Sequence, residues 1–597
     1  MQAPEAGLLG MHALYLLPTL CLLDRTSAWW LPRLVLEHEI DRTRQRWLHC
    51  RLSWRWRPVR REGSDDDMAL QAAYHYLRLA VIYATSTEGL LLFLLLIAIR
   101  LLLLGSVRAT TSESTKHKHL PPSPPGKLPI IGHLHLIGST LHITFRDLAA
   151  RHGHDGLLLL YLGSVPTLVV SSVRAAEAVL RTHDHVFSSR PRSATADIIR
   201  YGSSDVTFAP YGEYWRQARK LITTHMLSNN RVRSFRHGRQ EEVRLVIAKI
   251  REAAGTVVDM SELLVGYTND NVCRAVLGEF HREKGRNSLL RELTEINVAL
   301  LGGFNLEDCF PRLTMVGVLR RMVCAKAERL RKRWDDLFHE IIDEHARSSK
   351  PSGGEKEENT ADFVHVMLSV QDEYGLTMDN IKSILMDMFE AGIETSYLVL
   401  EYAMAELMNN KHIMKKLQEE VRMCTLDGKR MEVITDEDIT SMTYLKATIK
   451  ETLRLHPPAP FLIPHFSVAD CEINGCFIPS GTRVLINAWA LARDPTSWKR
   501  PEEFLPERFL QEGDSADVDM KGRDLQFVPF GAGRRICPGS NFAVATIEIM
   551  LANLLYHFDW EPQYEIKGNG AQVDMSESFG LTIRRKQKLY LVPKILQ

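Results

Sequence analysis

The chain has 597 residues and a mass of 68.0 kDa, so it is longer than a typical domain of about 100–200 residues. Hydrophobic residues make up 45% of it and charged residues 25%, which is ample material for a globular core. A formal net charge of +1 argues against nucleic acid as an electrostatic partner. Nine cysteines without regular spacing do not form a disulfide framework and fit a reducing compartment. Because Cys471 and Cys476 have no second pair or histidine cluster nearby, zinc is not expected.

Residues 1–67 show no periodic pattern that would build a core. An apolar run from Leu8 to Leu23 lacks the positive n-region of a signal peptide and is short for a spanning helix. Two interpretations stay open. The segment is either a flexible extension or sequence outside the working protein, with Met68 as an alternative start.

A second apolar run, EGLLLFLLLIAIRLLLLGSV at 88–107, predicts a membrane-anchor helix within a region 68–107. It is apolar all round, whereas a buried core helix would show a polar stripe. Arg100 interrupts it and can snorkel to the interface. Basic residues between 108 and 118 favour a cytoplasmic position for the remainder, although the basic segment 51–62 opposes that orientation.

Residues 108–132 are basic and rich in proline, and they predict a stiff hinge because proline fixes φ and removes a backbone donor. We expect one globular unit from Pro121 to Gln597, since no later linker is visible. The polar stretch Ser348–Asp362 is interpreted as a surface loop between helices.

The globular unit is predicted to be mainly helical with a small β component. Apolar residues recur at helical spacing in Leu319–His345 and in Met414–Arg422. Short apolar runs predict strands at Leu157–Gly163 and Thr167–Ser172. An Asn-Gly pair between alternating residues predicts a hairpin within Asp470–Ile478.

The stretch PFGAGRRICPGSNF, Pro529–Phe542, places Cys537 among glycines and arginines. Positive charge beside a thiol favours the thiolate, and glycine allows a close approach of the backbone. A thiolate can ligate iron while flat backbone lies against a planar cofactor, and an arginine can pair with an acidic group on that cofactor. Haem with an axial thiolate meets these demands, and the helix that follows favours an anion at its N-terminus. The alternative is a buried structural cysteine in a tight turn.

Aligned on Cys537, the stretch reads F-x-x-G-x-R-x-C-x-G, which resembles the haem-binding loop of the cytochrome P450 family. The resemblance extends over 121–597. It implies the cytochrome P450 fold, mainly α with small β-sheets, and haem b with Cys537 as the axial ligand. It also implies electrons from NADPH through cytochrome P450 reductase, with cytochrome b5 as a further candidate partner. The cofactor-binding positions in this loop are Phe530, Gly533, Arg535 and Gly539.

Two motifs precede this loop. KETLRLHPP supplies Glu451 and Arg454 on one helix face, and PERF supplies Arg508. The resemblance implies that the three form a structural cluster that supports the haem loop. Taken alone, glutamate and arginine at this spacing more often form a solvated salt bridge.

The stretch FEAGIETSYLVLEYAM, from Phe389, resembles the oxygen-binding helix of the family. Gly392 would leave room for dioxygen, and Glu394 with Thr395 would form an acid–alcohol pair that relays protons. The alternative is a polar turn in an amphipathic helix.

Haem propionates have three further candidate partners by the same resemblance. YGEYWRQARK places Trp215 and Arg219 four residues apart on one helix face, where the family contacts a propionate. In IPHFSV, His465 stands where many plant relatives carry arginine, and histidine can still donate to a propionate. A surface amphipathic helix is the alternative for the first pair.

Mostly apolar segments at pocket positions of the family predict a hydrophobic or aromatic substrate. The candidate pocket residues are Ile198, Phe389, Ala391, Phe461, Ile463 and Phe579. HDHVFSSRP, IETSYLVLEYAMAELM, IPHFSVADCEING and NFAVATIEIMLANLLYHFDW resemble plant members of the seventy-one clan. Among these, the grass enzymes that oxidise indole and indolinone towards benzoxazinoid defence compounds look most similar.

The predicted reaction is monooxygenation of a small hydrophobic specialised metabolite, for which an indole or indolinone is a candidate. The expected location is the endoplasmic reticulum membrane, with membrane lipid as a partner, a single-pass anchor and the catalytic domain facing the cytosol. Arg534 and Lys521 are candidates for a reductase-facing patch, or equally ordinary solvated charges. Two rivals stay open: an oxygen-independent haem-thiolate isomerase or dehydratase, and a haem-binding protein without turnover.

Overall fold

Most of the described chain is helical. The computed structural model describes residues 119–278, 282, 285–302, 305–347, 361–423, 431–563 and 572–596. They lie in a single unit, Leu103–Gln597. The predicted extension 1–67, the region 68–107, the hinge before residue 119 and the loop residues 348–360 lie outside the described residues. Within the described ranges, no helix is both long and apolar enough to cross a membrane.

Ten helices of eight or more residues occur in the described part of the chain. They are α1 (Leu141–His152), α2 (Glu213–Leu221), α3 (Arg236–Glu252), α4 (Met260–Leu277), α5 (Arg286–Leu300), α6 (Gly317–Arg347), α7 (Met378–Asn409), α8 (Lys411–Arg422), α9 (Thr443–Leu455) and α10 (Ser540–His557). Shorter α-helices span Val173–Glu177, Asp184–Phe187, Ala194–Ile199, Asn229–Ser234, Leu306–Cys309, Phe363–Ser369, Gln371–Tyr374, Asp436–Ile439 and Ala488–Leu491. Single 3₁₀ or π turns span Leu134–Leu136, Ala178–Thr182, Ile222–Met226, Pro311–Met315, Pro506–Phe509 and Gly533–Arg535.

Eleven short strands complete the described elements. They are β1 (Leu157–Leu162), β2 (Val165–Val170), β3 (Val258–Asp259), β4 (His465–Phe466), β5 (Cys471–Ile473), β6 (Cys476–Ile478), β7 (Arg483–Ile486), β8 (Phe558–Pro562), β9 (Glu577–Ser578), β10 (Arg584–Arg585) and β11 (Tyr590–Ile595). The largest sheet has the order β1-β2-β7-β4, in which β2 and β7 are parallel and the other pairs antiparallel. The other sheets have the orders β3-β11-β8, β5-β6 and β10-β9.

The local predictions agree with these elements. The predicted helix Leu319–His345 lies within α6, and Met414–Arg422 lies within α8. The predicted hairpin is β5-β6, and its turn has φ of 50° at Asn474 and 75° at Gly475. Both central residues are therefore left-handed, as a two-residue turn between twisted strands requires.

Helix α7 runs through the main hydrophobic core and positions the site. Thr377 caps its first turn by accepting a hydrogen bond from the backbone N–H of Asn380. Residues along its length are buried against α4, α5, α9 and α10. The loop before α10 also lines the cavity that α7 lines.

Candidate active site

A cavity of about 270 Å³ is lined by α7, by the loop that precedes α10, by α2 and by the segment after α9. The predicted site residues that line it are Cys537, Gly392, Glu394, Thr395, Trp215, Arg219, His465, Phe530, Arg535, Gly539, Ala391 and Ile463. Motifs that are more than 300 residues apart in the chain therefore meet around one space.

Cys537 lies just before the N-terminus of α10, as predicted. Its backbone N–H donates to the carbonyl oxygen of Phe530 over 2.8 Å and closes the loop. Burial raises the pKa of the thiol, while the backbone N–H groups of Gly539 and Ser540 and the charge of Arg219 oppose that rise. The nearby donors and cation thus favour the thiolate, which is the form that ligates iron.

The structure corrects the expectation that the arginines adjacent to Cys537 supply this charge. Arg534 instead pairs with Asp184, with Nη1 2.7 Å from Oδ2, and its side chain is half exposed. Arg535 donates to the backbone carbonyls of Ser188, Val206 and Ala209. The cation that acts on the sulfur is Arg219 of α2.

The glycines of the Cys537 loop differ in why a glycine stands at each position. Gly533 has φ of 67°, and a Cβ there would lie 2.4 Å from the carbonyl oxygen of Leu180. Packing onto that neighbour, rather than contact with a cofactor, requires a glycine at this position. A Cβ at Gly539 would make only ordinary contact, 3.9 Å from Cys537 Sγ. Gly531 has φ of 71° and lines the cavity, and it was not among the predicted positions.

Trp215 lies beside Arg535, whose guanidinium carbon is 4.2 Å from the indole ring centroid. That the indole N–H reaches a propionate stays a prediction. Trp215 Nε1 donates to the carbonyl oxygen of Val206 over 3.0 Å. The indole therefore orients Arg535 and the chain around Val206.

One cation of the site, Arg190, was not predicted from the sequence. Arg190 is buried, lines the cavity, and donates to the carbonyls of Thr207, Ile463 and Pro464. It stands in the quoted phrase HDHVFSSRP, but a single arginine in a loop gives no spacing signal. Its burial and the charge of Arg535 hold its pKa well below the usual range.

Three guanidinium groups, those of Arg190, Arg219 and Arg535, thus line one cavity. Among the described residues none of them forms a salt bridge with a carboxylate. Burial also lowers the pKa of Arg535 to about 10. Buried cations without a paired anion are costly, so these donors fit a dianionic group such as the two propionates of haem.

His465 begins β4 and is buried at the edge of this cationic cluster. Its Nδ1 is 2.9 Å from the carbonyl oxygen of Phe187, which it can reach only as a donor. Burial and the charge of Arg190 lower the pKa of His465 to about 3. In this neutral form Nε2 is an acceptor, so the predicted donation to a propionate requires that the anion itself promote protonation.

On α7, Glu394 and Thr395 have different surroundings. Glu394 accepts from Arg584 Nε over 2.6 Å, from Arg584 Nη2 over 2.8 Å and from Thr582 Oγ1 over 2.8 Å. Thr395 lines the cavity, and its hydroxyl donates to the carbonyl of Ala391 over 2.7 Å. The bidentate partner Arg584 was not predicted.

Gly392 also lines the cavity, but a Cβ there would lie 2.9 Å from Cγ2 of Val272 in α4. The glycine is therefore needed for the close packing of α7 on α4. Room for dioxygen was the predicted reason, and the packing contact is the one that the structure displays.

Comparisons with known proteins agree with this geometry. The sequence profile of the cytochrome P450 family matches residues 121–587. The chain belongs to the cytochrome P450 family. It is 63% identical over 541 residues to an indolin-2-one monooxygenase of Zea mays, covering 88% of this chain and 100% of the relative. It is 62% identical over 534 residues to a 3-hydroxyindolin-2-one monooxygenase of the same plant, covering 88% and 99%.

A third relative, an indole-2-monooxygenase of Zea mays, is 54% identical over 488 residues, covering 81% of this chain and 89% of the relative. Among solved structures, a zebrafish cytochrome P450 studied with abiraterone has a TM-score of 0.64 at 24% identity, covering 77% of this chain and 100% of that one. That likeness supports the cytochrome P450 fold. Enzymes of this family use haem with a cysteine thiolate and receive electrons from NADPH through a reductase.

The predicted structural cluster of this cytochrome P450 comes together. Arg454 Nε and Nη2 each donate to Glu451 over 2.8 Å, and Arg508 Nε donates to it over 3.1 Å. The backbone N–H of Leu505 donates to the same carboxylate over 2.8 Å. Glu451 and Arg454 are fully buried, which excludes the solvated salt bridge considered for this pair.

The predicted substrate residues separate into three groups. Ala391 and Ile463 line the main cavity. Phe461 and Phe579 line a smaller adjoining cavity of about 60 Å³, which also includes Ile463. The structure corrects the other two predictions.

Ile198 and Phe389 are packed in the main hydrophobic core and line neither cavity. The ring of Phe389 packs against those of Trp334 and Phe338, with centroid distances of 6.3 and 6.4 Å. Successive residues of a helix point about 100° apart, so a residue next to a pocket residue can face the core.

Proposed function

We propose that this haem-thiolate monooxygenase acts on an indole-type substrate, with an indolin-2-one as the leading candidate. The observation that carries the proposal is 63% identity over the full length of an indolin-2-one monooxygenase. Apart from its charged groups and a few hydroxyl side chains, the cavity is lined by apolar side chains such as Val272, Met388 and Leu581, which suits a planar apolar ring. The bound haem would supply the activation of dioxygen and the transfer of one oxygen atom to substrate.

The chain's own residues would have four tasks. Cys537 would hold the iron as a thiolate, with the N–H groups of Gly539 and Ser540 directed at its sulfur. Arg190, Arg219 and Arg535 would hold the propionates. Apolar side chains around the cavity would exclude water from the reacting atoms. The remaining task is proton delivery.

Thr395 is the better placed member of the acid–alcohol pair for that task. Its hydroxyl lines the cavity, so it can hold a proton at Oγ1 next to the reacting atoms. Both oxygens of Glu394 accept hydrogen bonds from Arg584 or Thr582. We therefore assign Glu394 to positioning and charge near Thr395.

The test uses purified full-length protein reconstituted with reductase and NADPH. Indole, indolin-2-one and 3-hydroxyindolin-2-one are supplied separately, and products are analysed by mass spectrometry under isotopically labelled dioxygen. We expect one labelled oxygen atom in the product and no product without NADPH. Label-free product formed without NADPH would indicate an isomerase or dehydratase, and haem without any product would indicate a non-catalytic protein.

The Cys537→Ser variant is the control for the iron ligand. Reduced wild-type protein should display a strongly red-shifted Soret band with carbon monoxide, because the ligand is a thiolate. The variant should lose that band and all oxidation. A red-shifted band in the variant would refute the assignment of Cys537.

We further propose a membrane-bound enzyme with a single-pass anchor at 88–107, in the endoplasmic reticulum and facing the cytosol. Support comes from exposed apolar residues just before and at the start of α6, where Met315 is 82%, Val318 69% and Met322 72% exposed. Such a patch suits a lipid surface. In a variant that lacks 88–107, replacing these three residues by serine should shift the protein from the membrane to the soluble fraction, whereas the same replacements in the full chain should leave it in the membrane fraction.

Reductase is the family's electron source, and its docking surface is part of the proposal. Lys521 is exposed and Arg534 is half exposed near the loop of Cys537. Arg534→Glu and Lys521→Glu should raise the reductase concentration needed for half-maximal rate, most strongly at low ionic strength. Unchanged titration curves would assign both residues to ordinary solvated charge.

A further inference from the structure

Three carboxylates line the main cavity, and they differ in what their oxygens contact. Those of Glu394 bind Arg584 and Thr582. Asp387 Oδ2 accepts from the backbone N–H groups of Val206 and Thr207. Its Oδ1 has no hydrogen-bond partner among the described residues but is fully buried, 3.5 Å from Arg200 Nη1, so a ligand cannot reach it. The third carboxylate is that of Glu390.

Glu390 is held by one of its two oxygens. Oε2 contacts Arg200 Nη2 and accepts a hydrogen bond from Asn297 Nδ2 over 3.0 Å. Within the described residues no hydrogen bond to Oε1 occurs, although the side chain is only 8% exposed and lines the cavity. Oε1 is not among the side-chain oxygens that are sealed from solvent, so a ligand in the cavity that brings an N–H or O–H group can reach it and donate to it.

The position of Glu390 suits a small bicyclic substrate. It lies five residues before Thr395 on α7, which is about 7.5 Å along the helix axis. Both residues line the same cavity, so a fused aromatic ring can contact one at each end. Arg200 is 1% exposed and also contacts Asp387, so the carboxylate of Glu390 is fixed before a ligand enters.

We propose that Glu390 Oε1 accepts a hydrogen bond from the ring N–H of the substrate and thereby orients the ring in the cavity. This inference rests on the proposed function and makes it more specific: the substrate class is a planar heterocycle with a free N–H. Arg200 and Asn297 are positioning residues that hold the acceptor. A ligand of the same shape without the N–H leaves the carboxylate oxygen without a partner and binds more weakly.

The test compares two ligands of nearly equal shape, indolin-2-one and 1-benzofuran-2-one, in which a ring oxygen replaces the N–H. Their dissociation constants are measured by titrating the Soret band of the haem-loaded full-length enzyme. We expect indolin-2-one to bind about tenfold more tightly, because hydrogen bonds to charged groups are among the stronger ones. Equal binding of the two ligands to the wild-type enzyme would overturn the proposal.

The informative variant is Glu390→Gln. Arg200 and Asn297 both donate, so they would hold the amide oxygen and turn the amide N–H groups towards the cavity. An acceptor thus becomes a donor, and the tenfold preference for indolin-2-one should vanish or reverse. The preference is a ratio within one preparation, so a lower yield of folded variant does not alter it. A preference that stays tenfold in Glu390→Gln would overturn the proposal.

Glu401→Gln is the matched control. Glu401 lies on the same helix, is buried, and binds Ser261 and Arg585, but it does not line the cavity. This variant should keep the wild-type preference, and its loss there would overturn the assignment to Glu390. If indolin-2-one is oxidised but both ligands bind equally, only this inference fails. If none of the indole-type compounds is oxidised, the proposed function itself fails.

Discussion

Two buried networks of arginine and carboxylate differ in how completely their atoms are paired. In the network of Glu451, Arg454 and Arg508, both carboxylate oxygens accept hydrogen bonds, and the spare N–H groups of Arg454 donate to backbone carbonyls. In the network of Arg200 and Glu390 at the cavity wall, Oε1 of Glu390 and the Nε and Nη1 groups of Arg200 make no hydrogen bond among the described residues, although Nη1 lies 3.5 Å from Asp387 Oδ1. We call the first network closed, because its carboxylate oxygens are all hydrogen-bonded, and the second open, because one carboxylate oxygen is not.

The difference separates two uses of the same chemistry. Breaking a closed buried network leaves an uncompensated charge and costs stability, whereas an open network can be completed by a ligand. Charge alone therefore does not distinguish a structural cluster from a binding site. The distinction lies in the unpaired atoms and in whether they reach a cavity.

The largest effect is expected from the closed network. Glu451→Ala removes the only carboxylate that Arg454 and Arg508 share, so two buried guanidinium groups lose their counter-charge. We expect a loss of about 3–5 kcal/mol in the free energy of unfolding. Urea unfolding followed by circular dichroism measures it, and the carbon monoxide band reports haem retention. A variant as stable as the wild type would contradict the closed-network interpretation.

An intermediate effect is expected at the acid–alcohol pair. Thr395→Val keeps the shape but removes the hydroxyl, and loss of a proton-delivering group typically lowers the rate about 100-fold. The dissociation constant of substrate should stay unchanged, and more NADPH should be consumed per product formed. Glu394→Gln should have the smaller effect on product yield, because that carboxylate is engaged by Arg584. Equal losses of product in both variants would indicate that Glu394 also delivers protons.

The smallest effect concerns pH. Burial and the charge of Asp387 raise the pKa of Asp205 to about 8, against an ordinary value near 3.8. Between these values the folded state binds a proton that the unfolded state has released, so stability falls as pH rises. Asp205→Asn should flatten this fall by up to about 1.4 kcal/mol per pH unit between pH 6 and 8. Urea midpoints measured across this range check it, and identical slopes would contradict the raised pKa.

Local spacing was enough to predict part of the site. Glu451 and Arg454 share a helix face because they are three residues apart, and the motif around Cys537 lies within ten consecutive residues. The hairpin at Asn474 and Gly475 was equally local, because the turn conformation depends on those two residues.

Features that depend on distant contacts were missed. Arg190 meets carbonyls of Ile463 and Pro464, more than 270 residues away, and no pattern around it signals that. Arg584 reaches Glu394 for the same reason. Phe389 was wrongly predicted to line the substrate pocket. Neighbouring residues of α7 line the cavity, but the Phe389 side chain lies on the face of α7 that packs in the core.

The parallel pairing of β2 with β7 has a consequence for how the chain is made. Leu168 pairs with Val484, so the ribosome releases the second strand roughly 300 residues after the first. At about 5–20 residues per second, that delay is roughly 15–60 s. During it, β2 is paired with β1 on one side but lacks β7 on the other, so its apolar second half forms an unpaired edge that is open to aggregation. Lower growth temperatures and abundant chaperones during expression should therefore raise the yield of folded enzyme.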